Sequence, residues 1–181
     1  MEIIKTAIEG LLIIKPKVFK DDRGYFLETF NEKKWNSFFE NPPVFVQDNE
    51  SLSKKHVLRG LHFQAPPFAQ GKLVRVTQGA VLDVAVDLRK ESTTFGKHVK
   101  VLLNDINFKQ FYIPPGFAHG FLALEENTRF SYKCTNFYNQ NSEGSIIWND
   151  RDLNIDWEVD APIISEKDAK SITFAKFDSQ F

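Results

Sequence analysis

Two short stretches of this chain hold residues that could do chemistry together. Leu58-Arg59-Gly60-Leu61-His62-Phe63-Gln64 is followed closely by Gln70-Gly71-Lys72-Leu73-Val74. Arg59 and Lys72 suit an anionic ligand, Arg as a planar fork and Lys as a point charge. His62 suits proton transfer near neutral pH. A base beside an anion clamp fits chemistry on a phosphorylated metabolite. His62 also stands between two probable strand residues, Leu61 and Phe63, where a buried histidine often serves only structure. The two flanking cations favour the functional reading.

The remaining candidates are weaker one by one. His119 follows the turn Pro114-Pro115-Gly116 and is as readily structural as functional. Asp83, on an alternating strand, is placed to fix its tautomer. Tyr132 reads by periodicity as one more strand aromatic. Arg23 and Glu143 fall in turns, where a charge is commonly just solvated. Asp168 could simply cap a helix. The histidines are His56, His62, His98 and His119. They form no His-x-His pair and have no Glu at the spacing of metal-binding β-barrels, so no metal is expected.

The elements that must carry these residues are mostly short strands. Val81 to Arg89 alternates cleanly, with Leu82, Val84, Val86 and Leu88 on one face and Asp83, Ala85, Asp87 and Arg89 on the other. Acids on one face of so apolar a strand imply either a polar interior or a solvated side. Strand signals recur within Ile3–Ile14, broken at Glu9-Gly10, and over Tyr25–Phe30, after the turn Asp21-Asp22-Arg23-Gly24. They continue over 72–77, 99–103, 110–113, 120–124 and 129–137. Asn31 predicts a capped helix with Trp35, Phe38 and Phe39 on one face, ended by Asn41-Pro42-Pro43. Ser165-Glu166-Lys167-Asp168 has the form of a capping box. Many short strands with few helices predict an all-β sandwich, jelly roll or barrel.

The bulk numbers set outer bounds. The 181 residues fit one domain spanning 1–181, long enough for a real core. A net charge of −1 suggests neither nucleic acid nor a charged membrane surface as partner. Cys134 is the single cysteine, so no intrachain disulfide forms. There is no signal peptide and no apolar run approaching a membrane span, so a soluble cytoplasmic protein is expected.

Taken in order, the motifs resemble the RmlC-type dTDP-4-dehydrorhamnose 3,5-epimerase family. They run from Asp22-Arg23-Gly24-Tyr25-Phe26-Leu27-Glu28 through Gln47-Asp48-Asn49, Leu58–His62, Gln70–Val74 and Asp83–Arg89. They continue with Ile113-Pro114-Pro115-Gly116-Phe117-Ala118-His119-Gly120-Phe121 and Trp148-Asn149-Asp150, and end at Ser165–Asp168. The resemblance implies a cupin-like jelly roll and a cofactor-independent epimerase of a dTDP-4-keto-6-deoxyhexose. It implies His62 as general base, Asp168 as its orienting partner, Tyr132 as the acid on the opposite sugar face, and Lys72 at the ketone oxygen. It places Arg59 and His119 beside the sugar and phosphate. Arg23, Glu28, Gln47, Asp48, Asn49, Glu143 and Lys167 are implied to contact the nucleotide or diphosphate, several of them from a second subunit. A homodimer is implied, with N-terminal strands added to the partner's sheet. An enzyme inverting only C3 or only C5 shares the same base and acid. A non-catalytic nucleotide-sugar binding module would be expected to lack one of them, and both are present. The chain departs from the family at Thr93 and Arg151, where Pro is common, and at Leu122-Ala123-Leu124 near the pocket.

Overall fold

The computed structural model describes residues 1–181 as thirteen strands and two short helices. In chain order the first elements are β1 (Glu2–Lys5), β2 (Leu12–Lys15), β3 (Val18–Asp21), β4 (Gly24–Leu27) and α1 (Glu32–Asn36). Then come β5 (Gln47–Ser53), β6 (Leu58–Gln64), β7 (Lys72–Gln78), β8 (Ala80–Asp87) and β9 (His98–Asn104). The series closes with β10 (Gln110–Ile113), β11 (Phe117–Ala123), β12 (Thr128–Cys134), β13 (Glu143–Ser145) and α2 (Glu166–Ala169).

Two antiparallel sheets form a cupin-like jelly roll. The larger has the order β1-β2-β10-β7-β12-β5, the smaller β13-β6-β11-β8-β9, and β3-β4 stands apart as a hairpin. Side chains that alternate inward from both sheets build the interior. Val74, Val76, Phe111 and Phe130 come from the larger sheet, and Val81, Ala85, Phe117 and Phe121 from the smaller. A second layer covers the smaller sheet's outer face, where Leu58, Leu61, Leu82, Val84 and Val86 pack under Leu153 and Trp157. A third cluster, around Trp35, Leu73 and Tyr112, lies on the larger sheet's other face.

This layering decides the question left by β8. All eight of its residues are buried, and Asp83 and Asp87 are 0% exposed. The acids therefore face a polar interior, not solvent. Asp87 is held by the Arg89 guanidinium and by the hydroxyls of Ser92 and Thr94.

Three elements are shorter than the sequence predicts. Asn31 does cap α1, accepting from the Lys34 N–H at 3.0 Å. The helix ends at Asn36, however, well before Asn41-Pro42-Pro43, so Trp35 is buried while Phe38 is 44% exposed. β4 stops at Leu27, not Phe30, because its partner begins at Val18, after Pro16, which has no N–H to extend the ladder. β12 stops at Cys134, not Phe137, because it pairs there with Gln47, the first residue of β5.

One irregularity matters for the site. His119 and Phe121 on β11 oppose His62 and Arg59 on β6, so β6 carries one extra residue, a β-bulge. The bulge is built on Gly60, whose φ is +127°. A Cβ on Gly60 would meet the Gly120 Cα at 2.5 Å, and one on Gly120 would meet the Arg59 carbonyl at 2.8 Å. Both contacts are with backbone, which has little room to give. Gly60→Ala is expected to destabilise the fold by about 1–3 kcal/mol. For a chain of this size that lowers the melting temperature by about 2–4 °C per kcal/mol. A melting temperature within a degree of the parent would show that the bulge tolerates a side chain.

Candidate active site

Residues three apart on a regular strand point to opposite faces. Arg59 and His62 nevertheless share one cavity, because the bulge between them resets the alternation. Arg59 is steadied by β5, its Nε donating to Ser53 Oγ at 3.2 Å and its Nη2 to the Leu52 carbonyl at 3.3 Å.

Behind His62 lies Asp168. Ser165 caps α2 by accepting from the Asp168 N–H at 3.0 Å. In a capping box the carboxylate turns back to the cap. Here it reaches His62 instead, with Nε2 and Oδ1 2.6 Å apart. Burial pushes the Asp168 carboxyl up, but the hydrogen bond and charge of His62, the Gly60 N–H and the Ser165 hydroxyl hold it below its ordinary value. Asp168 is therefore a carboxylate, and a carboxylate accepts. The shared proton then belongs to His62 Nε2, which leaves the Nδ1 lone pair as the basic atom.

The opposite wall belongs to the larger sheet. Tyr132 on β12 pairs with Val74 of β7 and Asn49 of β5, and Lys72 pairs with Cys134. Burial pushes the Tyr132 phenol up, with Cys134 and Glu143 adding to the rise and Arg59 opposing it. Tyr132 is thus protonated at neutral pH. Lys72 makes no ion pair, and burial lowers the pKa of its ammonium, which Cys134, Asp83 and Glu143 partly offset.

His119 is 7% exposed and lines the same cavity. Its Nε2 lies 3.0 and 2.9 Å from the two oxygens of Asp83. Burial lowers the pKa of the imidazole; Asp83 works against this, and Lys72 and His62 reinforce it. A neutral ring donating from Nε2 leaves Nδ1 as an acceptor.

The site is a groove of two chambers. The larger one, about 480 Å³, includes Arg59, His62, Lys72, His119, Tyr132, Lys167 and Asp168 in its lining. The smaller one, about 320 Å³, adds Gln47, Asn49 and Glu143. His62, Lys72 and Tyr132 line both, so the chambers meet at these three. Glu143 binds Lys167 at 2.5 Å. Three predicted residues lie elsewhere. Asp48 points to the other face of its sheet and pairs with Lys133 at 2.9 Å. Glu28 pairs with Lys34, and Arg23, 90% exposed at its side chain, pairs with Asp21. The lining residues missed by the sequence reading include Gln64, Gln70, Tyr138 and Ser51. Tyr138 donates to Glu143 at 3.0 Å from a stretch with no strand signal. Ser51 alternates with Asn49 and Ser53, a pattern that shows its face but not its role. No three His, Cys, Asp or Glu side chains are grouped as metal ligands.

A charge-dependent role for Lys72 is present below its lowered pKa and is lost as pH rises through it. Asp83→Asn can still accept from His119 but removes one anion that favours the ammonium. The Lys72 titration, followed by the ¹³Cε chemical shift, is expected to move to lower pH in this variant. An unchanged titration would remove Asp83 as a counter-charge.

Residues 5–176 match the family of dTDP-4-dehydrorhamnose 3,5-epimerases. The enzyme of that name from Shigella flexneri is 51% identical over 178 residues, covering 98% of each chain. The one from Salmonella typhimurium is 54% identical over 170 residues, covering 93% of each. Among solved structures, the RmlC epimerase of Legionella pneumophila in complex with dTDP-4-keto-L-rhamnose superposes with a TM-score of 0.94 at 47% identity, over 98% of this chain and 94% of that one. By its sequence, its fold and the residues gathered in its groove, the chain belongs to the dTDP-4-dehydrorhamnose 3,5-epimerase family.

Proposed function

We propose that this protein is a dTDP-4-dehydrorhamnose 3,5-epimerase, acting on dTDP-4-keto-6-deoxyglucose beside its C4 ketone. The observation that carries the reading is the placement of His62 and Tyr132 on opposite walls of one groove, with Lys72 between the two chambers. His62 Nδ1 takes the proton from the carbon next to the ketone. The C–H electrons become the C=C of an enolate, and the charge passes to O4, where Lys72 meets it. A fixed donor at such an oxygen contributes on the order of 10²–10³ in rate. Tyr132 then delivers its proton to the other face of the same carbon, and the centre is inverted. C3 and C5 both flank the ketone, so one base and one acid serve both. Protons move and no electrons leave, so the balance requires no redox cofactor.

The assignment also includes the binding residues. Arg59, His119 and Lys167 contact the sugar and phosphates, and Gln47, Asn49 and Glu143 the nucleotide side of the groove. Asp168 and Asp83 orient the two histidines. No helix is long and apolar enough to cross a membrane, and a free nucleotide sugar as substrate fits a cytoplasmic setting.

The working unit proposed is a homodimer. The β3-β4 hairpin pairs with no other strand and exposes Phe19, Tyr25 and Phe26, by 51%, 56% and 69%. It carries Arg23, with Glu28 just beyond, and neither lines its own chain's groove. A hairpin that reaches the partner would bring both to the nucleotide.

Proton NMR in D2O tests the chemistry. Both H3 and H5 of dTDP-4-keto-6-deoxyglucose are expected to exchange. His62→Ala should cut exchange by about 10²–10⁴-fold while dTDP still binds. In Tyr132→Phe, exchange should outlast net epimerisation, since abstraction continues while reprotonation fails. Exchange at one position alone would identify a single-centre epimerase; no exchange at all would overturn the reading.

The dimer is tested by mixing defects. Arg23→Ala and His62→Ala subunits, each weakly active alone, are co-expressed with different tags and the hybrid is purified. One of its two sites then has both His62 and the partner's hairpin arginine. Activity at low substrate is expected to approach half that of the parent. A hybrid no better than the mean of its parents would place Arg23 outside the shared site.

A further inference from the structure

Ser51 Oγ is the one buried side-chain nitrogen or oxygen in the chain with no hydrogen-bond partner. Buried polar groups are almost always paired, and an exception asks for a cause. Its location suggests one, because Ser51 lines the larger chamber of the groove.

The neighbours sharpen the contrast. Gln47, Asn49, Ser51 and Ser53 oppose Cys134, Tyr132, Phe130 and Thr128 across the β5-β12 ladder, and all four share one face of β5. Gln47 donates to Asn49 Oδ1 at 3.1 Å, and Asn49 donates to Cys134 Sγ at 3.6 Å. Ser53 Oγ accepts from Arg59. Three of these polar side chains are occupied in holding the wall together. In the same chamber Ser165 is engaged as the cap of α2. Ser51 alone has a hydroxyl with nothing to hold.

The hydroxyl is withdrawn from the chamber surface, but the residue as a whole is only half-buried. Because the oxygen holds no hydrogen bond, a turn about χ1 toward the chamber would break none. Ser51 lies one inward-facing position from Asn49, the strand partner of Tyr132, so it is within about 7 Å along the strand. That is the scale of one sugar ring. Around it, Phe121, Phe130, Ile163 and Ile164 offer only apolar surface.

We propose that Ser51 is a specificity-determining residue that hydrogen-bonds a ring hydroxyl, on C2 or C3, of the sugar held between His62 and Tyr132. The inference rests on the epimerase reading and adds to it a contact by which the site recognises a hydroxylated ring. Ser51 transfers no proton to carbon. Its effect is on binding and orientation.

The test uses Ser51→Ala, with Ser51→Cys as a second variant that fills the same space with a weaker donor. Solvent deuterium exchange at C5 is measured on dTDP-4-keto-6-deoxyglucose and on its 2-deoxy and 3-deoxy analogues, and dTDP binding by calorimetry. Losing a neutral hydrogen bond is expected to lower kcat/KM for the full sugar by about 3–10-fold. On the one analogue that lacks the contacted hydroxyl, parent and variant should agree within twofold, and dTDP should bind all proteins alike. A variant equal to the parent on the full sugar would overturn the proposal. So would an equal loss on all three sugars, the mark of a structural role. If the parent itself catalyses no exchange, the epimerase reading fails first and is recognised separately.

Discussion

The rest of the site depends on one buried carboxylate. Asp168 has a side chain only 4% exposed, and an anion withdrawn from water must be met by donors. It finds the His62 ring, the Gly60 N–H and the Ser165 hydroxyl. These belong to α2, to the bulge of β6 and to the proposed base, so one charge joins them. The joint spans 106 residues of sequence. It is braced beside the bulge by backbone bonds, from Leu58 N–H to the Ile163 carbonyl at 2.9 Å and from Ile163 N–H to the His56 carbonyl at 2.7 Å. Removing one partner of such a cluster strands the others, which costs more than the pair contributes when whole. The helix is one turn long and has little stability of its own. It persists because its cap and its third residue are both engaged.

The interior of the sandwich is divided. One part is an ordinary apolar core, and the other holds Lys72, Asp83, His119 and Tyr132. The boundary is aromatic, with Phe121 and Phe130 stacked at 4.1 Å between ring centroids and His119 nearly parallel to Phe130 at 6.0 Å. Flat faces let a polar chamber end abruptly against a dry core. Keeping the charges there requires that they compensate one another. Asp83 accepts from His119 and also lends its charge to Lys72, and both acids of the groove's rim and rear, Glu143 and Asp168, have cationic or histidine partners. Neither Lys72 nor Arg59 makes an ion pair, and Arg59 is tied to Ser53 and the Leu52 carbonyl, so Lys72 keeps its ammonium uncommitted. That is the position in which a developing negative charge gains most.

Much of this could be read from the residues, and the limits were physical. The alternation in β8 and the caps at Asn31 and Ser165 are local features, and all three appear in the structure. The helix after Asn31 was predicted too long because its aromatics follow a helical spacing that the chain satisfies with a loop packed against Tyr112. Alternation shows which side chains share a face but not what covers that face. Whether Asp83 met solvent or an interior was decided by the larger sheet, whose Val74, Val76 and Phe130 pack over the face of β8 that carries Val81 and Ala85. The partnership of His62 with Asp168 has no signature in spacing at all and came only from the family resemblance. The bulge at Gly60 was not read from the sequence, although a glycine inside a strand pattern is a known sign of one. Gln47, Asp48 and Asn49 were grouped as neighbours in sequence, yet consecutive strand residues cannot share a face. The structure puts Asp48 on the far side, bound to Lys133.

The architecture itself supplies the stereochemical logic. Two sheets packed face to face stand about 10 Å apart, room for one flat ring with a side chain on either side. His62 rises from the smaller sheet and Tyr132 from the larger. In the proposed mechanism a planar enolate lying between them presents one face to His62 and the other to Tyr132, so removal and return of the proton fall on opposite sides. Inversion then needs no movement of the ring between the two steps and no second conformation of the protein. It follows from placing the two groups on different sheets. The bulge at Gly60 is what permits it on the smaller sheet, because without the extra residue His62 and Arg59 could not both face the groove. A single backbone irregularity thus lets one wall carry Arg59 and His62 together, while the other wall keeps Lys72 and Tyr132.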